Sequence, residues 1–244
     1  MQSFEKLLSE LCQARSTGRE AAVTADDLPV TLGDAYSLAL STVDDVAAWK
    51  LGGVNPWSQK VFSNTELFFG PLAKDEVFVD AAKVPISNLN QPLAEVEIAL
   101  KIGRWPPDCR SPLFTEMSVC VEIPATVLPL PAKASLLGQV TDRAGAGALW
   151  LGEPHPFDAR ALMSEIKVEL SHNDDPVQEG SSLNIQAGPL GVAFEFLALA
   201  LRYGANLKEG QWIATGGLRP SNPISADTQM AIRHPWGVSS LHFV

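Results

Sequence analysis

Apolar residues first recur at helical spacing. Phe4, Leu7, Leu8 and Leu11 share one face and predict an amphipathic helix over residues 1–15. Ser16-Thr17-Gly18 ends it, and a polar stretch runs on to Pro29. Thr31 can cap a second helix through Leu40, because its hydroxyl can accept from free backbone amides of the first turn. Asp34 suits the positive end of that helix. Residues 1–45 therefore read as a helical preface packed on the rest. From Val46 the texture changes to short β-rich runs broken by Gly and Pro. Strands are predicted at Ala47–Gly52, Leu67–Phe69, Val77–Val79, Glu95–Ile102, Ser118–Val127, Ala148–Leu151, Glu165–Leu170, Trp212–Thr215 and Val238–Val244. Such a series predicts a sandwich or barrel-like β core over residues 46–244. One long helix interrupts it. Pro189 suits a first helical position and Gly204 the residue just past the end. Leu190, Ala193, Phe194, Leu197, Ala198 and Leu201 lie between them, so this helix is expected to be largely buried.

Composition narrows the function classes. Of the 244 residues, 46% are hydrophobic and 19% charged, enough to bury a sizeable core. The net charge of −10 gives no counterion-release gain on nucleic acid and no attraction to an anionic membrane. The N-terminus has no basic cluster followed by an apolar run, so no secretory signal is expected. The most apolar stretch, 188–201, is too short to span a bilayer and contains Glu195. Cys12, Cys109 and Cys120 are odd in number and widely spaced, which argues against a disulfide framework and for a cytoplasmic protein.

The segment 94–103 carries the clearest chemical signal. Val96, Ile98, Leu100 and Ile102 fall on one face of a strand; Glu95, Glu97, Ala99 and Lys101 fall on the other. The two glutamate Cα atoms are then roughly 7 Å apart, close enough for both carboxylates to meet one ion. Clustered anions call for a positive partner, and a divalent cation with oxygen ligands supplies one. An isolated ExE pair is more often the solvent face of an edge strand. A third acid, Glu122, lies in the alternating run 118–124, on the face of Cys120 and opposite Val119, Val121 and Ile123; it reads either as exposed or as a ligand. Lys50 sits among apolar neighbours in the run 46–53. It could balance carboxylates, bind an anionic substrate, act as a base if burial lowers its pKa, or lay its stem over apolar surface with the ammonium in water.

Other signatures are missing. There is no GxGxxG, P-loop or GxSxG, and the run 145–147 lacks the third glycine of a dinucleotide fingerprint. His155, His172, His234 and His242 show no HxxxH spacing.

Several of these segments occur in order in one family. Asp34-Ala35-Tyr36, Trp49-Lys50-Leu51-Gly52, Phe69-Gly70-Pro71-Leu72, Glu95-Val96-Glu97-Ile98-Ala99 with Gly103-Arg104, and Cys120-Val121-Glu122-Ile123 resemble landmarks of the 2-keto-4-pentenoate hydratases and oxalocrotonate decarboxylases, within the fumarylacetoacetate hydrolase superfamily. Leu151-Gly152, Gly188-Pro189, Gly210, Thr215-Gly216 and the ending 237–243 are similar to its later landmarks, so the resemblance covers nearly the whole chain. It implies an α+β fold: a rolled mixed β-sheet like the C-terminal domain of fumarylacetoacetate hydrolase, with an N-terminal helical preface. It implies that Glu95, Glu97 and Glu122 hold Mg2+ or Mn2+, with a small-molecule 2-keto acid or dienoate chelating the metal and Lys50 beside it, binding substrate or transferring a proton. Thr215 and Gly216 would contact the substrate carboxylate. The implied reaction is hydration of a 2-hydroxy-2,4-dienoate through a metal-stabilised enolate. Alternatives are a decarboxylase or C–C hydrolase on a related keto acid, or a non-catalytic keto-acid-binding homologue. A homo-oligomer is expected, with no nucleic-acid or membrane partner. Three positions depart from the family pattern: Val54-Asn55 replaces a Thr-Ser pair, Phe68 replaces an acid (with Glu66 nearby), and Ala39 replaces a glutamine.

Overall fold

The computed structural model describes residues 2–108, 110–173 and 175–244; the expectation for Cys109 lies outside the described residues. The preface forms α1 (Gln2–Thr17) and α2 (Leu32–Ser41). The Thr31 hydroxyl accepts from the Asp34 amide as the cap of α2. Leu7, Leu11 and Ala14 of α1 pack on Val127, Leu128 and Ala132 of the core.

The core then runs β1 (Val46–Gly52), α3 (Pro56–Phe62), β2 (Phe68–Ala73), β3 (Val77–Val79), β4 (Lys83–Val84), β5 (Leu93–Ile102), β6 (Phe114–Pro124), α4 (Leu136–Thr141), β7 (Ala146–Leu151), β8 (His155–Pro156) and α5 (Ala159–Met163). It continues through β9 (Lys167–His172), β10 (Gln178–Ser181), α6 (Gly188–Arg202), β11 (Trp212–Ala214), β12 (Asn222–Pro223), β13 (Gln229–His234) and β14 (Gly237–Phe243). The main sheet has the order β2-β1-β11-β5-β6-β7-β3, with β12 on β5 and β8 on β6. It is mixed: β1–β11 and β3–β7 are parallel, the other pairs antiparallel. A second sheet has the order β10-β9-β13-β14-β4.

The main sheet rolls until β2 lies beside β7. Side-chain size explains how. The inner face sets the small Ala48, Ala99, Cys120, Ala146 and Ala214 among the larger Leu72, Leu149, Leu151 and Trp212, so the small positions leave room for the roll to close. The outer face carries Val96, Ile98, Leu100 and Ile102, which join Trp49, Phe69 and Phe196 in the largest apolar cluster. Gly70 on β2 marks the closest approach, since a Cβ there would stand 1.8 Å from the Arg143 carbonyl oxygen.

Two expectations are corrected here. The strand predicted at Ser118–Val127 is displaced towards the N-terminus: β6 begins at Phe114 and ends at Pro124, where an irregular register against β7 stops the ladder. Helix α6 is buried on one face only. Val192, Ala193, Phe196, Leu199 and Ala200 pack inward, while Phe194, Ala198 and Leu201 are exposed.

Candidate metal centre

Strand register brings the three acids together. β5 is a central strand between β11 and β6, so its glutamate face is not an edge. Glu95 stands directly opposite Glu122 and Glu97 opposite Cys120. Cross-strand partners share a face, so all three carboxylates point into the roll. One oxygen from each lies within 4.8 Å of the others. Glu97 and Glu122 are fully buried, and Glu95 opens onto a cavity.

Lys50 arrives from β1. Its register partner on β11 is Ala214, which pairs with Ala99 of β5, so the lysine lies on the same inner face. Its Nζ is 3.1 Å from Glu122 Oε2. Burial alone would depress the ammonium pKa. Glu122, Glu95 and Glu97 together outweigh burial and raise it, so Lys50 is a buried cation, not a free base.

The carboxylates are pushed the other way. Burial raises all three. The Glu97 carboxyl stands well above its usual range, through burial and then repulsion from Glu122 and Glu95, against one stabilising amide from Gly216. Glu95 is raised by burial, against the pull of Lys50. Glu122 is pushed up to about 7 by burial, with Lys50 opposing and Glu95 reinforcing the shift. The Cys120 thiol is pushed well up by burial beside Glu97 and Glu122, which keeps it protonated.

The donor set fits a hard dication. Glu97 Oε1 and Glu122 Oε1 are buried without a hydrogen-bond donor, and Glu122 Oε2 has only the Lys50 ammonium beside it. Leaving such an acceptor bare costs about 1–3 kcal/mol, more when it is charged. Three carboxylates with no histidine or thiolate among them suit Mg2+ or Mn2+ rather than a soft metal. Among the described residues this is the one group of three or more acids, histidines or cysteines close enough to share an ion.

The turn after β11 props the cluster. Thr215 is fully buried, and its Oγ1 and backbone N both donate to the Ile98 carbonyl. Gly216, at φ +107°, aims its N–H at Glu97 Oε2 from 2.7 Å. Its missing side chain is required, since a Cβ would stand 2.1 Å from Val54 Cγ2. In this arrangement the polar atoms of Thr215 and the amide of Gly216 are engaged by β5, and neither residue lines the cavity.

That cavity, about 630 Å³, leads from Lys50 and Glu95 outward. Trp57, Val61, Phe62 and Phe68 give it an apolar wall. Phe68, the residue in place of the family's acid, belongs to that wall, while Glu66 is exposed and paired with Arg202 at 2.8 Å. Asn55, of the substituted Val54-Asn55 pair, is a buried strut: its Nδ2 donates to Gly217 O at 2.8 Å and Asn184 O at 3.0 Å. Ala39 is fully buried in α2. The strut role of Asn55 escapes sequence reasoning, because both its partners lie more than a hundred residues away.

No family model matches the chain. Curated proteins do. A 2-keto-4-pentenoate hydratase of Paraburkholderia xenovorans (strain LB400) is 28% identical over 234 residues, covering 90% of this chain and 86% of that protein. A 2-hydroxyhexa-2,4-dienoate hydratase of Comamonas testosteroni is 26% identical over 245 residues, covering 92% and 91%. Among solved structures, 4-oxalocrotonate decarboxylase from Pseudomonas putida G7, complexed with magnesium and adipate, superposes with a TM-score of 0.85 at 19% identity, over 100% of this chain and 97% of that one. The chain is similar over most of its length to these hydratases, and it shares the fold of the decarboxylase. A more distant solved structure shares the fold: fumarylpyruvate hydrolase from Pseudomonas aeruginosa, in complex with Mn2+ and pyruvate, gives a TM-score of 0.58 at 14% identity, over 81% of this chain and 88% of that one. On this fold, the β5–β6 register supplies the carboxylate cluster and β1 the lysine.

Proposed function

We propose that the chain is a divalent-metal-dependent hydratase that adds water to a 2-hydroxy-2,4-dienoate and yields a 4-hydroxy-2-keto acid. The observation that carries this reading is the cluster of Glu95, Glu97 and Glu122 beside a buried Lys50 at the inner end of one cavity. The names of the relatives point the same way: those matched over most of the chain are hydratases of short dienoates. Glu95, Glu97 and Glu122 would hold Mg2+ or Mn2+, which supplies Lewis-acid stabilisation of negative charge on the C2 oxygen of the substrate.

The chain's own residues divide the remaining work. Lys50 offers an ammonium to the anionic head of the substrate, within reach of the carboxylates. The reaction needs a proton removed from the 2-hydroxyl and one delivered to C5; water then adds as hydroxide at C4 and a proton at C3. Lys50 is the titratable donor at the inner end of the cavity, and we assign it proton delivery or substrate anchoring. Gly216 steadies Glu97, and Thr215 fixes the turn that presents it. Trp57, Phe62 and Phe68 exclude water from the apolar part of the dienoate.

A decarboxylase is the second reading. The apolar wall offers no further carboxylate to activate water, and the chain shares its whole length with a decarboxylase fold. Mixing the protein and Mg2+ with a 2-hydroxy-2,4-dienoate should remove the dienol ultraviolet absorbance without releasing carbon dioxide. Carbon dioxide release from a 2-keto diacid, with no consumption of dienoates, would favour the decarboxylase. Lys50→Met should abolish turnover and leave metal binding in place.

We further propose a cytoplasmic homo-oligomer. Free Cys12 and Cys120 suit a reducing compartment, and among the described residues no helix is long and apolar enough to cross a membrane. The exposed Phe194 and Leu201 of α6, 52% and 60% accessible, are an apolar stripe suited to burial against another copy.

A further inference from the structure

We infer that Asn55 is a substrate-binding residue of this site: its Oδ1 accepts a hydrogen bond from the water that adds at C4, and afterwards from the 4-hydroxyl of the product. The inference rests on the hydratase reading of the site. It starts from the orientation of a buried amide. Both Nδ2 hydrogens of Asn55 are taken, one by Gly217 O at 2.8 Å and one by Asn184 O at 3.0 Å. A flipped amide would set Oδ1 against the same two carbonyls, acceptor on acceptor, so the network admits one orientation. Asn55 is also the N-cap of α3, where an asparagine oxygen ordinarily accepts from an amide of the first turn. Here the side chain makes no such bond. Among the described residues nothing donates to Oδ1, yet it is not one of the unpaired atoms sealed inside the protein. Asn55 borders the cavity, and Oδ1 is the polar atom it presents there.

That oxygen lies at the inner end of the cavity. A Cβ at Gly216, whose amide holds Glu97, would stand 3.7 Å from it. A Cβ at Gly217, whose carbonyl holds Asn55, would stand 3.3 Å from Glu95 Oε2. One turn, 216–217, thus touches Asn55 on one side and the acids on the other. An acceptor placed there needs a donor from the ligand. The carboxylate and keto oxygens of a 2-keto acid are acceptors only, and the buried Lys50 ammonium and a dication suit them. The 2-hydroxyl of the dienoate must lose its proton, and a neutral amide is no base for it. At C4 the need is orientation. Once C5 is protonated, the water oxygen bonds to C4 as the C3=C4 π bond opens towards the C2 oxygen. The proton released from that water ends on C3, and nothing is oxidised or reduced. Asn55 takes no proton; by accepting one O–H it turns a lone pair of the water towards C4.

The test compares two keto acids of one chain length by calorimetry with Mg2+ present: 4-hydroxy-2-oxopentanoate, which carries the hydroxyl, and 2-oxopentanoate, which lacks it. The wild-type protein should bind the hydroxy acid about fivefold more tightly, the effect of one neutral hydrogen bond. Asn55→Ala should bring the ratio to about one. Asn55→Leu, which keeps the side-chain volume, should do the same, so either variant that folds decides the matter. Loss of the strut would weaken both acids alike and leave the ratio unchanged, whereas loss of the acceptor weakens only the hydroxy acid. A wild-type ratio near one, or a preference that survives in the variants, overturns the assignment. If neither acid binds the wild-type protein, the keto-acid reading fails and the role of Asn55 falls with it.

Discussion

Glu122 faces three opposing influences at once. It is fully buried, it stands opposite another acid, and its one cationic neighbour is Lys50. Its carboxyl, pushed up to about 7, makes the metal-free protein sensitive to pH. The sign follows from the raised value. The fold favours the protonated form, so this contribution to stability is fully present below about 4.5 and is lost as pH rises through about 7. For Glu122 it amounts to on the order of 3 kcal/mol. Glu95 and Glu97 act in the same direction. A bound dication reverses the penalty, because the ionised forms become its ligands. Magnesium should therefore raise the thermal midpoint much more at pH 8 than at pH 5.5, and its affinity should rise across that interval; scanning calorimetry at the two values checks both. Glu97→Gln keeps size while removing charge, and should weaken Mn2+ binding about a hundredfold or more in a calorimetric titration.

The elements behind these residues were unequally legible in the sequence. The alternation of Val96, Ile98, Leu100 and Ile102 against Glu95 and Glu97 predicts β5 and its acidic face, and the alternation in 118–124 predicts that of β6. Those patterns do not contain the register that sets Glu95 against Glu122, because pairing is a long-range property. The two-residue strands β4, β8 and β12 are too short to show a period at all. β13 does alternate, with Met230 and Ile232 buried and Gln229 and Arg233 exposed, yet its pairing with β9 and β14 is again long-range. The turn after β11 was legible only through its glycines. Gly216→Ala tests its role: strain at φ +107° and contact with Val54 should cost about 1–3 kcal/mol in urea denaturation and loosen the amide from Glu97, weakening metal binding as well.

At the scale of the whole molecule, the helical preface is tied into the site's supporting wall. Arg15 of α1 donates to the carboxylate and carbonyl of Asp142 and to Ala146 O. Asp142→Ala leaves the partly buried Arg15 without its salt-bridge partner and should destabilise the fold by about 3 kcal/mol, read as a shifted denaturation midpoint. On the opposite side, α6 presents Phe194 and Leu201 to solvent in the single chain. Phe194→Asp with Leu201→Asp should convert the proposed oligomer to a smaller species in light scattering while the circular dichroism spectrum is unchanged. Beneath all of this lies one arrangement, a rolled sheet that gathers acids from β5 and β6 around a single ion. Crystals soaked in Mn2+ and measured for anomalous scattering test it most directly. The account predicts one strong peak bounded by Glu95, Glu97 and Glu122. A peak elsewhere, or none at the three glutamates at saturating Mn2+, would contradict it.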